Sequence, residues 1–353
     1  MNIKITVLIG LMFLSTILFS NPIEDADNLY FSKQYKKAFS SYLKLSKQGH
    51  SYATTKLAEM YLKGKFVEKD YDKAKKYFKK SIKQGSQSGF VGLGNIYYYG
   101  RGVKKNYKKA SFYYKKVEQT PLVGITKLGY MYYVGRGVAK NYKKAKKCLL
   151  QNAKFGSIRA LNILGDIYFF GKGETIDYQK AFDYYKKAAD YGNRVSLRKI
   201  GKMYLYGKGI QKDRTKAISF LKKASKKGDI KSMLLLADIY NFGKFNVKSN
   251  YKTSFYYYKM AADKGSKNAL NSLALCYEHG RGVKKNMHKA LELYKKASNS
   301  GSYINLAIIY FNGTEVKRDR KKACIYWNKV KNINVINQVK NIDDFCKKVY
   351  KIN

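Results

Sequence analysis

Beyond residue 21, small, apolar and aromatic residues return in one order many times over. The alanine of a Tyr-x-Lys-Ala pattern or its variants stands at Ala38, Ala74, Ala110, Ala145, Ala181, Ala217, Ala290 and Ala323, and Ser254 fills the remaining place. The steps are 36, 36, 35, 36, 36, 37, 36 and 33 residues. A period this steady predicts a solenoid with about two helices per repeat. In the first helix an apolar residue is followed by Gly or Ala and, four positions on, by Tyr: Leu57 and Tyr61, Leu93 and Tyr97, Leu128 and Tyr132, and onward to Leu306 and Tyr310. A spacing of four puts both on one helical face. Gly94, Gly129, Gly165 and Gly201 follow the apolar residue, and another small residue precedes it by four, from Ala53 and Gly89 to Ser302. Glycine inside a helix costs roughly 1 kcal/mol relative to alanine. Its return at one position therefore predicts close approach of neighbouring helices.

Loops such as Gly100-Arg101-Gly102-Val103 and Gly280-Arg281-Gly282-Val283 close the first helix, with the first glycine suited to a C-terminal cap. The second helix carries Tyr107, Ala110, Tyr113, Tyr114 and their counterparts. Taken together, Leu-Gly-x-x-Tyr-x-x-Gly-x-Gly-Val-x-x-Asn-Tyr-x-Lys-Ala-x-x-Tyr-Tyr-x-Lys resembles the Sel-one-like repeat (SLR) family, a relative of the tetratricopeptide repeat. The resemblance covers nearly all of the chain after residue 24. It implies an all-α fold, a right-handed α/α solenoid superhelix of about eight 36-residue helix–loop–helix repeats. It also implies a protein- or peptide-binding role. The expected organisation is a signal peptide over 1–20, the solenoid over 21–332 and a C-terminal capping helix over 333–353, where Val335, Ile336, Val339, Ile342, Phe345 and Val349 form an apolar face.

Composition changes the picture in two ways. With 45% hydrophobic and 15% aromatic residues the chain can bury a core, which excludes global disorder. With 72 Lys+Arg against 23 Asp+Glu its net charge is +49. That excess reads either as attraction to anionic surfaces or as drift in an AT-rich genome, and both readings stand. The N-terminus supplies an address. Lys4, an apolar run from Ile5 to Phe19 and small Ser20 match an export signal cleaved before Asn21, with an uncleaved anchor as the rival. A periplasmic or secreted mature chain without a transmembrane segment is the expectation. Nucleic acid is set aside as a partner, because the basic residues fit it and the address does not.

No catalytic constellation stands out, and no cofactor is expected. Gly-x-Gly lacks a preceding strand and recurs as punctuation, so it is not a phosphate cradle. His279 and His288 flank a loop with Glu278 and Cys276, without zinc spacing, and no metal is expected. Glu174, Asp177, Asp343 and Asp344 read as capping or surface residues. Cys148, Cys276, Cys324 and Cys346 occur singly, unlike the regular pairs of a Cys-rich secreted SLR branch linked to penicillin binding or β-lactam hydrolysis. Such β-lactamase-like or peptidoglycan-binding activity is the alternative reading. Cys324 and Cys346 either join the last repeat to the cap or remain buried thiols.

The leading expectation is a non-enzymatic adaptor, in the cell envelope or secreted, that holds a protein or peptide; attraction to an anionic envelope polymer or to peptidoglycan is the further partner reading. The adaptor's groove falls on first-helix positions that vary from repeat to repeat. The candidates are Tyr98, Tyr130, Asp166, Phe169, Lys202 and Asp238, some of whose aromatics could equally be core. A second candidate is a ladder of loop cations, Lys65, Arg101, Arg136, Lys172, Lys208, Lys244 and Arg281. Three of these are drawn from only nine Arg in the chain.

Overall fold

The computed structural model describes residues 21–117, 123–330 and 337–350, so the expected signal peptide lies outside the described residues, as do Val335 and Ile336. Among the described residues there are nineteen α-helices and no strand. They alternate as first and second helices of a repeat. The pairs are α1 (Pro22–Phe31) and α2 (Tyr35–Lys47), α3 (Ser51–Lys63) and α4 (Tyr71–Lys83), α5 (Gln87–Tyr99) and α6 (Tyr107–Lys115), α7 (Val123–Val134) and α8 (Tyr142–Ala153), and α9 (Ile158–Phe170) and α10 (Tyr178–Asp190). There follow α11 (Arg194–Tyr206) and α12 (Arg214–Lys226), α13 (Ile230–Phe242) and α14 (Tyr251–Asp263), α15 (Lys267–His279) and α16 (Met287–Ala297), and α17 (Ser300–Asn312) and α18 (Arg320–Trp327). The last helix, α19 (Asn337–Tyr350), is the cap. The chain is an all-α solenoid, as the period predicts. It forms two compact bodies that divide between Thr175 and Ile176.

Local chemistry sets the helix bounds. Each second helix after α2 begins behind an Asp or Asn whose side chain accepts an N–H of the first turn, as Asn106 does from Lys109 at 2.9 Å. Those amide bonds hold the Asp70, Asp177 and Asp213 carboxyls below their ordinary range. First helices after α1 end on a left-handed glycine, such as Gly100 with φ 69°.

The small positions are where the helices meet. A Cβ on Gly94 would stand 2.5 Å from the ring of Tyr114, and one on Gly201 2.9 Å from Leu221. Residues four after the second-helix alanine, among them Tyr42, Phe78, Tyr114, Leu149, Tyr185, Leu221, Tyr258 and Tyr294, are all buried. In these pairs, and at Gly129 against Leu149, the second helix drives one large side chain against the small residue of its partner. Within the N-terminal body α3 touches α5, α5 touches α7 and α7 touches α9, and among the described residues these contacts are more extensive than any between its second helices. The first helices are the closer-spaced layer, which makes theirs the inner face of that body.

The cap docks by Ile342, Phe345 and Cys346 on Ala307, Trp327 and Phe311 of the last repeat. Cys324 and Cys346 form a disulfide with Cα atoms 5.5 Å apart, while Cys148 and Cys276 are buried thiols. Trp327 Nε1 donates to Asp343 at 2.9 Å, so Asp343 anchors the cap.

Candidate ligand-binding face

Most of the recurring aromatic and basic residues are consumed in packing. In several repeats the first-helix Tyr lies flat against a second-helix ring: Tyr61 on Tyr77 at 5.5 Å, Tyr97 on Tyr113 at 5.7 Å, Tyr310 on Tyr326 at 5.9 Å. The Lys of Tyr-x-Lys-Ala covers the other side, with Lys109 5.5 Å above Tyr97 and Lys322 4.5 Å above Tyr310. The motif is a clamp.

The loop ladder has a packing reason that spacing did not show. All seven cations lie over aromatic rings. Lys65 stands over Tyr35 at 4.9 Å, Arg136 over Tyr107 at 5.1 Å, Lys172 over Tyr142 at 6.0 Å, Lys208 over Tyr178 at 5.1 Å and Arg281 over Tyr251 at 5.8 Å. In those five the ring opens the second helix of the preceding repeat. Arg101 and Lys244 use rings of their own repeat, Tyr99 at 5.2 Å and Phe242 at 5.0 Å. In those five repeats the loop cation therefore ties neighbouring repeats together by cation–π attraction.

The variable position after the small residue is also explained in part. Where the second helix presents a buried Tyr, this position can accept from its hydroxyl. Tyr114 donates to Asn95 at 2.8 Å, Tyr258 to Asp238 at 2.6 Å and Tyr42 to Asp27 at 2.5 Å. Asp238 is thus a partner of the core as well as a half-buried surface group. Where the second helix presents Leu149 or Leu221 there is no hydroxyl to meet, and the position holds Tyr130 or Lys202. Of the six groove candidates, Tyr98, Tyr130, Asp166 and Phe169 belong to the N-terminal body and are half-buried. Lys202, which is exposed, and Asp238 belong to the C-terminal body. The aromatics that end first helices are more exposed than the aromatic candidates: Tyr99 at 44%, Phe170 at 57%, Tyr206 at 48% and Phe242 at 60%.

In the N-terminal body the inner face gathers charge around Tyr98, Tyr99 and Tyr130. Lys127 of α7 lies 4.8 Å above Tyr99 and 6.0 Å above Tyr98, and Arg101 shares the Tyr99 ring. Arg159 of α9 lies 4.4 Å above Tyr130, with Arg136 5.9 Å from the same ring. Burial, then Arg159 and Arg101, push the Lys127 ammonium down to about 8. Among the described residues no carboxylate stands within ion-pair distance of Lys127, Arg101 or Arg159. Of these residues the sequence pattern singles out Tyr98 and Tyr130, with Asn95 among the varying positions, and does not single out Lys127 or Arg159. Lys127 and Arg159 sit outside the position that varies after Leu-Gly.

Three of the carboxylates singled out in the sequence have structural partners. Asp177 caps α10, Glu174 pairs with Lys146 at 2.8 Å, and Glu278 accepts from the buried Tyr294 hydroxyl. No group of three or more His, Cys, Asp or Glu that could hold a metal occurs among the described residues.

The sequence matches the Sel1 repeat over residues 51–86, 91–116, 123–153, 158–193, 195–229, 230–266, 267–302 and 301–329. The structure is similar to that of a protective antigen of uropathogenic Escherichia coli with an SLR fold, at TM-score 0.74 and 29% identity over 88% of this chain and 68% of that one. It is also similar to a Sel1 repeat protein from Oxalobacter formigenes, at TM-score 0.61 and 28% identity over 69% of this chain and 99% of that one. Among curated proteins, Chitin synthase regulatory factor 2 of Schizosaccharomyces pombe is 37% identical over 79 residues, 21% of this chain and only 15% of that protein. The pair α1 and α2 precedes the first match and repeats its architecture without its signature. The chain belongs to the Sel1 repeat family, whose repeats typically serve as scaffolds for protein interaction.

Proposed function

We propose that this protein is a non-enzymatic scaffold that works outside the cytoplasm and holds a protein or peptide on the first-helix face of its N-terminal body. One observation carries the reading. The side chains that recur in every repeat are consumed in packing, whereas Tyr98, Tyr99, Lys127, Tyr130 and Arg159 collect on α5, α7 and α9 with aromatic surface and charge to offer. Rings and arginines are the side chains that dominate binding energy at protein interfaces. The Cys324–Cys346 disulfide favours an oxidising compartment, in keeping with the export signal read at 1–20. The similar Escherichia coli protein is a protective antigen, which also favours an accessible address.

The test is capture from the envelope fraction of the source cells by the chain that begins at Asn21. The reading expects a partner that survives washing, and whose recovery falls with Tyr130→Ala while the protein's melting curve is kept. A partner retained equally by that variant and lost on changing residues 290–350 places the groove elsewhere. N-terminal sequencing of the exported protein decides the address: a start near Asn21 supports it, and an intact Met1 contradicts it.

A further inference from the structure

The inner face of the N-terminal body contains the same three-residue arrangement twice, with one difference in charge. At the first copy the Tyr42 hydroxyl donates to Asp27 at 2.5 Å, and Lys56 of the next repeat stands 4.0 Å from the same carboxylate oxygen. Tyr52 adds a further bond to Asp27 at 2.6 Å. At the second copy the Tyr114 hydroxyl donates to Asn95 Oδ1 at 2.8 Å, and Lys127 of the next repeat donates to that oxygen as well. Asp27 and Asn95 hold the position after the small residue of their repeats, and Lys56 and Lys127 both stand directly before the apolar residue of theirs. The second copy is the first with a carboxylate replaced by an amide.

The surroundings widen the deficit. Arg101 and Arg159 lie close enough to Lys127 to oppose its charge, where the first copy is neutralised from within by Asp27. Like charges held together beside rings, with no anion paired to them among the described residues, form a site complementary to one supplied from outside. Tyr98, Tyr99 and Tyr130 wall it, and each ring already carries a cation on its face. A peptide carboxylate beside its aliphatic stem suits both features.

We propose that Lys127, Arg101 and Arg159 form a docking point for a carboxylate side chain of an acidic peptide segment, taking the place that Asp27 fills internally beside Lys56. The proposal rests on the scaffold reading and names the chemistry of its ligand.

The experiment uses the full chain from Asn21 and two fluorescein-labelled probes, hexa-glutamate and hexa-glutamine, followed by anisotropy at physiological salt. Because the chain is basic throughout, the decisive comparison is between variants that lose equal charge. Lys127→Met with Arg159→Gln is expected to weaken hexa-glutamate by about tenfold or more, the loss of charge-assisted bonds. Lys226→Gln with Lys259→Gln, on exposed second-helix positions of the other body, is expected to change it by less than about twofold. Asn95→Asp, which restores the internal carboxylate in a side chain of the same shape, is expected to weaken the probe as the double variant does. Equal weakening by both double variants, or parent-like binding by Asn95→Asp, overturns the proposal. So does inorganic polyphosphate that displaces hexa-glutamate yet binds the Lys127→Met, Arg159→Gln variant like the parent. Failure here with envelope capture intact removes the acidic docking point and leaves the scaffold. Failure of capture while hexa-glutamate binding follows the expected variant pattern removes the envelope partner and leaves the docking point.

Discussion

Replacing Gly282 by alanine isolates the inter-repeat approach from every other role a glycine plays. Gly282 has φ +76°, and a Cβ there would stand 2.1 Å from the Tyr251 carbonyl oxygen, 2.5 Å from its carbon and 2.9 Å from the Lys252 nitrogen. These are backbone atoms of the preceding repeat's second helix and cannot rotate away. Gly265, with φ +81°, would place its Cβ within 4 Å of nothing. Both substitutions incur the left-handed cost of about 1–2 kcal/mol. Only Gly282→Ala adds overpacking, about 1–3 kcal/mol. The conformation alone is survivable, because Phe66, Phe245 and Glu315 hold the corresponding loop position at φ 68°, 58° and 56°. A difference of about 2 kcal/mol corresponds to about 4–8 °C in the midpoint of a body of this size. Scanning calorimetry of the full chain measures it, and amide exchange in α14 and α15 locates it. Equal midpoints for Gly282→Ala and Gly265→Ala would refute close backbone packing between repeats.

Three further outcomes follow from the geometry. Cys324→Ser with Cys346→Ser opens a loop of 22 residues, at a cost of about 3 kcal/mol, and should raise amide exchange in α19 first; unchanged exchange there argues against a stapled cap. Lys127 titrates in the fold at about 8 against an ordinary value of 10.5, with Arg101 and Arg159 facing it, so its charge penalises the fold fully below pH 8 and ceases to do so as pH rises through 10.5. Lys127→Met should therefore stabilise the protein more at pH 7 than at pH 10, by about 1–2 kcal/mol after allowance for its partial exposure, and a pH-independent difference would contradict the assignment. Changing Arg101, Arg136 and Arg281 to Gln removes contacts of about 0.5–1 kcal/mol each, so the melting midpoints should fall along with low-salt retention on anionic envelope polymer. A parent-like melting curve would contradict the ring-stacking role, and parent-like retention would make the loop ladder a packing device alone.

The fold was largely legible because its information is periodic. Leu93, Gly94 and Tyr97 announce a helix face, Gly100 announces the end of α5 and Asn106 the start of α6. What the structure adds lies between repeats. Lys127 reaches Asn95 across 32 residues, and Lys172 reaches Tyr133 across 39, offsets that straddle the 36-residue period and depend on how helices stagger. The variable positions looked like free binding surface for the same reason: Asn95 and Asp238 vary with the second-helix side chain they meet, a pairing no single-helix pattern displays. The α1 and α2 pair was only half visible, since Ala38 marks its second helix while α1 lacks the apolar-small-Tyr signature.

Hydrogen–deuterium exchange of the full chain, with and without the partner captured from the envelope, tests the central claim most directly. A ligand on the inner face of the N-terminal body should protect 95–101, 127–130 and the start of α9 while leaving α4, α6 and α8 unchanged. Protection confined to those second helices, or to residues 290–350, would contradict it.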